Sequence, residues 1–289
     1  MVDLRASIRK LGDVDETVLL TGETGTGKEI ASLKLHEHSN AEPEEFFPVN
    51  AAALTGTLME SELFGHRKGA FTGASEDRRG LFEAASSGTL FLDEISEMSE
   101  GLQAKILRAV ENDTVKPVGA NRTVPVSPRM VFASNQNLKE EVDGGSFRED
   151  LFYRINVFHL HIPPLRQRRE DIPELVEHFL DQQHPDEDPP ALSEETWTIL
   201  MNHSWPGNVR ELENAIRQGA VLAEDVITPE HLPRTITDAV DHQTGVPNLN
   251  QAVEDFEKGF IESMLTREND ISDVCDKLDI SRSTFFRKR

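Results

Sequence analysis

Residues 22–28 read GETGTGK, and they sit between a short aliphatic run, TVLLTG at 17–22, and a segment with helical spacing, GKEIASLKLHEH at 27–38. Few sequence features narrow the choice of fold as much as a glycine-rich turn that closes a buried strand and opens a helix. Glycines let successive backbone N–H groups face inward around phosphate oxygens, and the helix N-terminus adds its dipole. Lys28 then reaches the β- and γ-phosphates of a bound nucleotide. The nucleotide-binding set is therefore Gly22, Glu23, Thr24, Gly25, Thr26, Gly27, Lys28 and Glu29. Position 29 usually carries a hydroxyl that helps hold Mg²⁺; here it is glutamate, so the metal must rely on other ligands. The competing reading is a plain glycine turn with a solvated lysine. In the helix, Ile30, Leu33 and His36 are expected to form the inward stripe.

Further along, LFLDE at 90–94 is an apolar strand that ends in two carboxylates. Alone it could be a strand end followed by a helix cap. Paired with the phosphate loop it reads as ATP hydrolysis machinery: Asp93 ordering the Mg²⁺ shell and Glu94 polarising the attacking water. Strand-like runs at 17–22, 89–93 and 129–134 alternate with helical stretches such as 100–110. That alternation predicts an α/β fold, a parallel sheet with helices on both faces. After Pro163–Pro164 helical signals dominate. The expected organisation is an α/β subdomain over 1–170, a helical lid over 171–236, a linker over 237–249 and a small all-α domain over 250–289.

Acidic residues outnumber basic ones by 52 to 30, a net charge of −22. Such a surface repels phosphate backbones, so any contact with DNA must be a local basic patch. ISDVCDKLDISRSTFFRKR at 271–289 offers one: an apolar-periodic helix, a turn at Asp279–Ile280 and a second helix without an acid. Read as a helix-turn-helix, it would place Arg282, Ser283, Thr284, Arg287 and Lys288 on DNA; the alternative is a charged helical tail. One cysteine, no apolar leader and no long apolar run predict a cytoplasmic protein with no membrane association.

Taken together, these stretches resemble the AAA+ ATPase domain of bacterial sigma-54-dependent transcriptional activators, with a weaker likeness to the Fis-like DNA-binding domain at the C-terminal end. The resemblance rests on GETGTGKE, ESELFGH (60–66), GAFTGA (69–74), GTLFLDEI (88–95), FREDLFYRINV (147–157), PPLRQRREDI (163–172) and WPGNVRELENAI (205–216), in that order. Glutamate after the lysine is common in that family. The family's ATPase domain commonly begins further upstream and follows a receiver or ligand-sensing domain, which is not expected between Met1 and the phosphate loop.

The resemblance implies further roles. Asn135 would be the sensor of the γ-phosphate, its alternative being a strand-end cap. Arg148 and Arg154 would be arginine fingers acting across a subunit boundary, their alternative being ion pairs with Glu149 or Asp150. On one continuous helix these two lie about 120° apart, so they are expected to do different jobs. Arg210 would be the lid's nucleotide sensor, and Asn50 would restrain the catalytic Glu94. Arginines acting in trans imply a ring, a homo-hexamer with dimers as its building units an open option. The implied work is to remodel the closed complex of sigma-54 RNA polymerase holoenzyme at promoters governed from enhancer DNA. Gly69, Ala70, Phe71, Thr72, Gly73 and Ala74 would form the sigma-54 contact, an exposed aromatic on a flexible stalk. For an isolated loop, the competing reading is a turn with Phe71 tucked back into the core. A chaperone or helicase-loader ATPase would share the core but lack GAFTGA, and a non-enzymatic DNA-binding regulator would not need Lys28, Asp93 and Glu94 intact.

Overall fold

The computed structural model describes residues 2–53, 56–185 and 188–237. These fall into two compact units, one made of residues up to Pro189 with Ser204–Arg217, the other of Pro190–His203 and the residues from Gln218. The first unit runs α1 (Val2–Gly12), β1 (Val18–Thr21), α2 (Lys28–Glu37), β2 (Phe46–Asn50), α3 (Gly56–Phe64), α4 (Leu81–Ala84), β3 (Thr89–Asp93) and α5 (Glu100–Asn112). A small hairpin of β4 (Thr114–Val115) and β5 (Val124–Pro125) leads to β6 (Arg129–Ser134), α6 (Leu138–Asp143), α7 (Glu149–Ile155), β7 (Phe158–His161) and α8 (Ile172–Gln183).

Five strands form one sheet in the order β2-β3-β6-β1-β7, every neighbouring pair parallel. Parallel neighbours need crossovers, and the crossover helices cover both faces, so the strands read as continuous apolar runs. The pleat sorts them. Leu19, Leu90, Leu92, Met130 and Phe132 pack on one face with Leu63, Ile106 and Leu151 from the helices. Val18, Leu20, Phe91, Val131 and Ala133 pack on the other with Ile8, Ala31 and Leu35.

Helix α2 forms where expected and buries His36 of the expected stripe, but it does not turn Ile30 inward. Ala31, Ser32, Leu35 and His36 are buried, whereas Ile30 is 61% exposed. The cause is Lys28 in the first turn: its side chain is buried, and the residues that share its face are those three, four and seven further on. Two strands escaped the sequence reading. β2 carries Pro48, which suits an edge strand because it gives up a ladder donor, and β7 alternates histidine with apolar residues on the other edge.

Arg129 opens β6 from a buried position and donates from Nη1 to the carbonyls of Gly12 (3.0 Å) and Leu35 (2.9 Å) and from Nη2 to that of Leu11 (2.5 Å). A cation thus closes the C-terminal ends of α1 and α2, where the helix dipoles favour it.

In the second unit, Ser193 caps α9 (Glu194–Asn202) by accepting the Thr196 N–H at 3.1 Å. Buried Thr196 donates to the Ile227 carbonyl at 2.9 Å, next to the short parallel pair β8 (Ala191–Leu192) and β9 (Val226–Ile227). Helix α10 (Asn208–Leu222) belongs to the first unit as far as Arg217. Among the described residues no helix is long and apolar enough to cross a membrane. The helix-turn-helix expected over 271–289, with Arg282, Ser283, Thr284, Arg287 and Lys288, lies outside the described residues.

Candidate active site

Strand β1 delivers the chain into the 22–27 loop, and α2 begins at Lys28. Gly25 (φ 78°) and Gly27 (φ 98°) take left-handed backbone conformations that only glycine adopts without strain. Gly27 has open space where a side chain would be, and as N-cap it offers no side-chain oxygen to the first amides of α2. Those amides are left for an anion. Thr26 is buried and donates to the Glu23 carbonyl at 2.8 Å, while Thr24 is exposed. Glu29 is exposed in the first turn of α2.

Lys28 is buried, and its Nζ donates to the carbonyls of Gly22 (2.9 Å) and Glu23 (3.2 Å). Burial pushes its pKa down, against the pull of Asp93 and Glu94, and Arg210 adds to the lowering. Asp93 moves the other way: burial pushes its carboxyl up, opposed by a hydrogen bond from the Glu94 N–H (2.9 Å) and by Lys28. Glu94 itself sits at φ 55°, ψ 44°. A left-handed glutamate costs about 1–3 kcal/mol, and such strain gathers where a side chain must be aimed.

Around this core, Asn135 donates from Nδ2 to the Thr24 hydroxyl at 3.2 Å, and its buried Oδ1 has no protein partner. Asn50 stands beside Asp93 in the β2–β3 register, but its Oδ1 accepts the Ala52 N–H at 2.8 Å, a bond to its own turn rather than to Glu94. Arg210 is exposed in the first turn of α10, close enough for its charge to act on both Lys28 and Asp93.

Arg148 and Arg154 do not share one helix. Arg148 is the N-cap of α7, with extended backbone at φ −73°, ψ 130°, and the helix starts behind it at Glu149. The 120° separation therefore does not apply. Its guanidinium forks onto Asp150, Nε to Oδ1 at 3.0 Å and Nη2 to Oδ2 at 2.7 Å. Arg154, in the last turn, donates to the Val110 carbonyl at 2.8 Å. Among the described hydrogen bonds and ion pairs, neither reaches this chain's own Lys28, Asp93 or Glu94.

The GAFTGA loop is closed by Gly69 N–H to Ala74 O (2.8 Å) and Ala74 N–H to Phe71 O (3.0 Å), with Gly69 and Gly73 at positive φ. Asp77 holds its neck, accepting the Lys68 N–H and pairing with Arg67, each at 2.7 Å. Phe71 is not the exposed aromatic expected from sequence. It is half-buried, its ring edge-on to His66 with centroids 5.0 Å apart; Thr72 and Gly73 form the exposed tip. His66 can serve as the rest because Ser61 holds its Nδ1 at 2.7 Å and its backbone bridges both Arg78 and Val118.

Three residues of the site were not singled out from sequence: Asn208, Arg166 and Arg168. Asn208 is fully buried at φ 55°; its Oδ1 accepts the Leu165 N–H (2.9 Å), and its Nδ2 donates to Thr24 O (3.0 Å) and Glu23 Oε2 (3.2 Å). Arg166 forks onto Glu23 at 2.8 and 2.5 Å, and Arg168 donates to Thr26 O at 2.7 Å. The Val209 N–H reaches Gly25 O at 2.9 Å, so close that a Cβ at Gly25 would run into the Gly207 carbonyl. The motifs WPGNVREL and PPLRQRR contain these residues, but nothing in the string shows that they grip the phosphate loop.

A five-stranded parallel sheet, a glycine loop that opens a helix and an Asp–Glu strand end two places away define an ATPase of the AAA+ class. Comparison with known proteins agrees. Residues 1–161 match the sigma-54 interaction domain family and residues 166–248 match the AAA+ ATPase lid domain. The Nif-specific regulatory protein of Azotobacter vinelandii is 48% identical over 242 residues, 83% of this chain and 45% of that protein. The response regulator protein PilR of Pseudomonas aeruginosa is 43% identical over 266 residues, 89% of this chain and 60% of that one. The crystal structure of NtrX from Brucella abortus in complex with ATP superposes with a TM-score of 0.75 at 34% identity, covering 100% of this chain and 66% of that one. The chain belongs to the sigma-54 interaction domain family, and it spans about half the length of the curated relatives it matches.

The Arg166 fork and the Asn208 amide hold the Glu23 carboxyl well below its usual 4.5, at about 2. A lowered carboxyl stabilises the fold above its unfolded pKa and loses that contribution as pH falls through the folded one. Wild type should therefore exceed Glu23→Gln by its full margin above pH 4.5 and by progressively less towards pH 2. With both partners two-fifths exposed the margin is about 1 kcal/mol or less. Urea unfolding at stepped pH checks this; a gap that widens in acid would contradict it.

Proposed function

We propose that this chain hydrolyses ATP and uses the cycle to remodel the closed complex of sigma-54 RNA polymerase holoenzyme into the open complex. What carries the reading is that one folded unit holds both the Lys28–Asp93–Glu94 cluster and the GAFTGA loop. The loop supports a transcription activator over a chaperone or helicase loader.

The loop amides and Lys28 bind the phosphates, and Nζ exchanges the Gly22 and Glu23 carbonyls for phosphate oxygens. Water attacks the γ-phosphorus, Glu94 accepts its proton, and ADP carries away the bonding electrons. Asp93 suits Mg²⁺, being a desolvated carboxylate whose pKa burial raises, a group that a cation relieves. The metal, when bound, neutralises charge on the phosphates. Asn135 senses the γ-phosphate by way of a water that donates to the Oδ1 without a protein partner, and Arg210 reads the bound nucleotide from α10.

Arg148 and Arg154 serve the site of a neighbouring copy in a homo-hexameric ring, which fits their lack of bonds to this chain's own site. Glu94→Gln should bind ATP within about twofold of wild type yet turn over at least about 100-fold more slowly. Steady-state phosphate release checks it, and unchanged turnover would remove Glu94 from the role of base.

Phe71 and Thr72 grip sigma-54, with Phe71 leaving His66 to do so. Phe71→Ala should keep ATPase activity and lose open-complex formation on a sigma-54 promoter; permanganate footprinting reads the melted bases, and retained melting would sink the remodelling role. Enhancer DNA is bound by 271–289, whose last nine residues carry four basic side chains and no acid. Deleting 270–289 should abolish enhancer binding and spare ATPase activity. DNA affinity equal to that of the full chain in a mobility-shift titration would reject this role.

A further inference from the structure

We infer that Gln103 is a positioning residue that ties the segment leaving Glu94 to Arg148. The inference rests on the reading that Arg148 acts on a neighbour's site.

Gln103 lies in the first turn of α5, on the same buried face as Leu102, Ile106 and Leu107, and it is fully buried. Burial alone would place leucine or methionine there. A buried carboxamide is tolerated only when its hydrogen bonds are met. Here they are met by backbone groups alone: Nε2 donates to Met98 O at 2.8 Å and to Ser146 O at 3.0 Å, and Oε1 accepts the Arg148 N–H at 2.8 Å.

The two ends of that clamp matter. Met98 closes the short 3-10 turn Ile95–Glu97 that Glu94 itself caps, so its carbonyl belongs to the stretch leaving the proposed base. Ser146 and Arg148 flank Phe147 in the turn before α7. Arg148 is an N-cap, so its own N–H lies outside the helix ladder, and Gln103 accepts it. One side chain thereby fixes where Arg148 leaves the turn, relative to the strand end that carries Asp93 and Glu94. A shift of the Glu94 segment with the nucleotide is passed through it to the arginine that serves the next copy.

Full-length Gln103→Met fills the same space without the three bonds. Nucleotide affinity and KM should stay within about twofold of wild type while kcat falls about 10- to 100-fold, the usual cost of misplacing a catalytic group by an ångström. An unchanged kcat overturns the inference. A local packing defect and a misplaced arginine are separated by mixing chains. Lys28→Ala chains lack a working nucleotide site but present an intact Arg148. Mixed with Gln103→Met chains they should give turnover above the sum of the two alone.

The control pair is Arg148→Ala with Lys28→Ala. If the control gains and the Gln103→Met pair does not, the positioning role is wrong. If neither gains, the trans reading is wrong, and this inference falls with it. Should Gln103→Met fail to fold, the wild-type chain decides: the Arg148 amide must exchange with deuterium as slowly as amides inside α5. Exchange at the rate of an exposed loop amide overturns the role.

Discussion

Lys28 is a buried cation whose described hydrogen bonds go only to carbonyl groups. Removing an ammonium group from water is costly, and the cost is tolerable only because Asp93 and Glu94 supply a compensating field from a strand end. Much of the first unit follows from meeting that condition. Helix α2 must turn its Lys28 face inward, which leaves Ile30 in solvent. The sheet order β3-β6-β1 must carry β3's last residue to the height of the loop that follows β1. The parallel ladder does this by register, pairing Leu19 with Phe132 and Phe132 with Leu92, so that all three strands end on the same side.

The loop itself is held from outside. Asn208, Arg166 and Arg168 contribute five of the described bonds to residues 23–26, and each arises far along the chain. A nucleotide that reshapes the 22–27 loop therefore also disturbs the turn at 205–210 and the segment at 164–168. The link is made of directional hydrogen bonds, so it responds to rotation of the loop as well as to its displacement.

What could be read from the string was what short range determines. Three of the five sheet strands, the glycine loop, Lys28 and the Asp93–Glu94 pair were visible because strand propensity, glycine spacing and paired carboxylates are local signals. β2 and β7 were hidden because edge strands tolerate Pro48 and exposed histidines, which blur the apolar run. Ile30 faces solvent, and only His36 of the apolar stripe is fully buried, because hydrophobic spacing does not carry the rotation that burial of a lysine imposes. FREDLFYR is helix-like throughout and does not show that the helix begins only after Arg148, where Asp150 accepts the Leu151 N–H at 2.8 Å. Phe71 looked exposed because its partner, His66, is buried by contacts with residues 61, 78 and 118, which no local pattern reveals.

The left-handed backbone at Glu94 sets stability against chemistry at one residue. Glycine or asparagine would relax φ 55° at that position, and neither carries a carboxylate. If Glu94 is the base proposed above, a substitution that eased the backbone would give a better-folded but inert ATPase, so the most stable form of this strand end is not the working one.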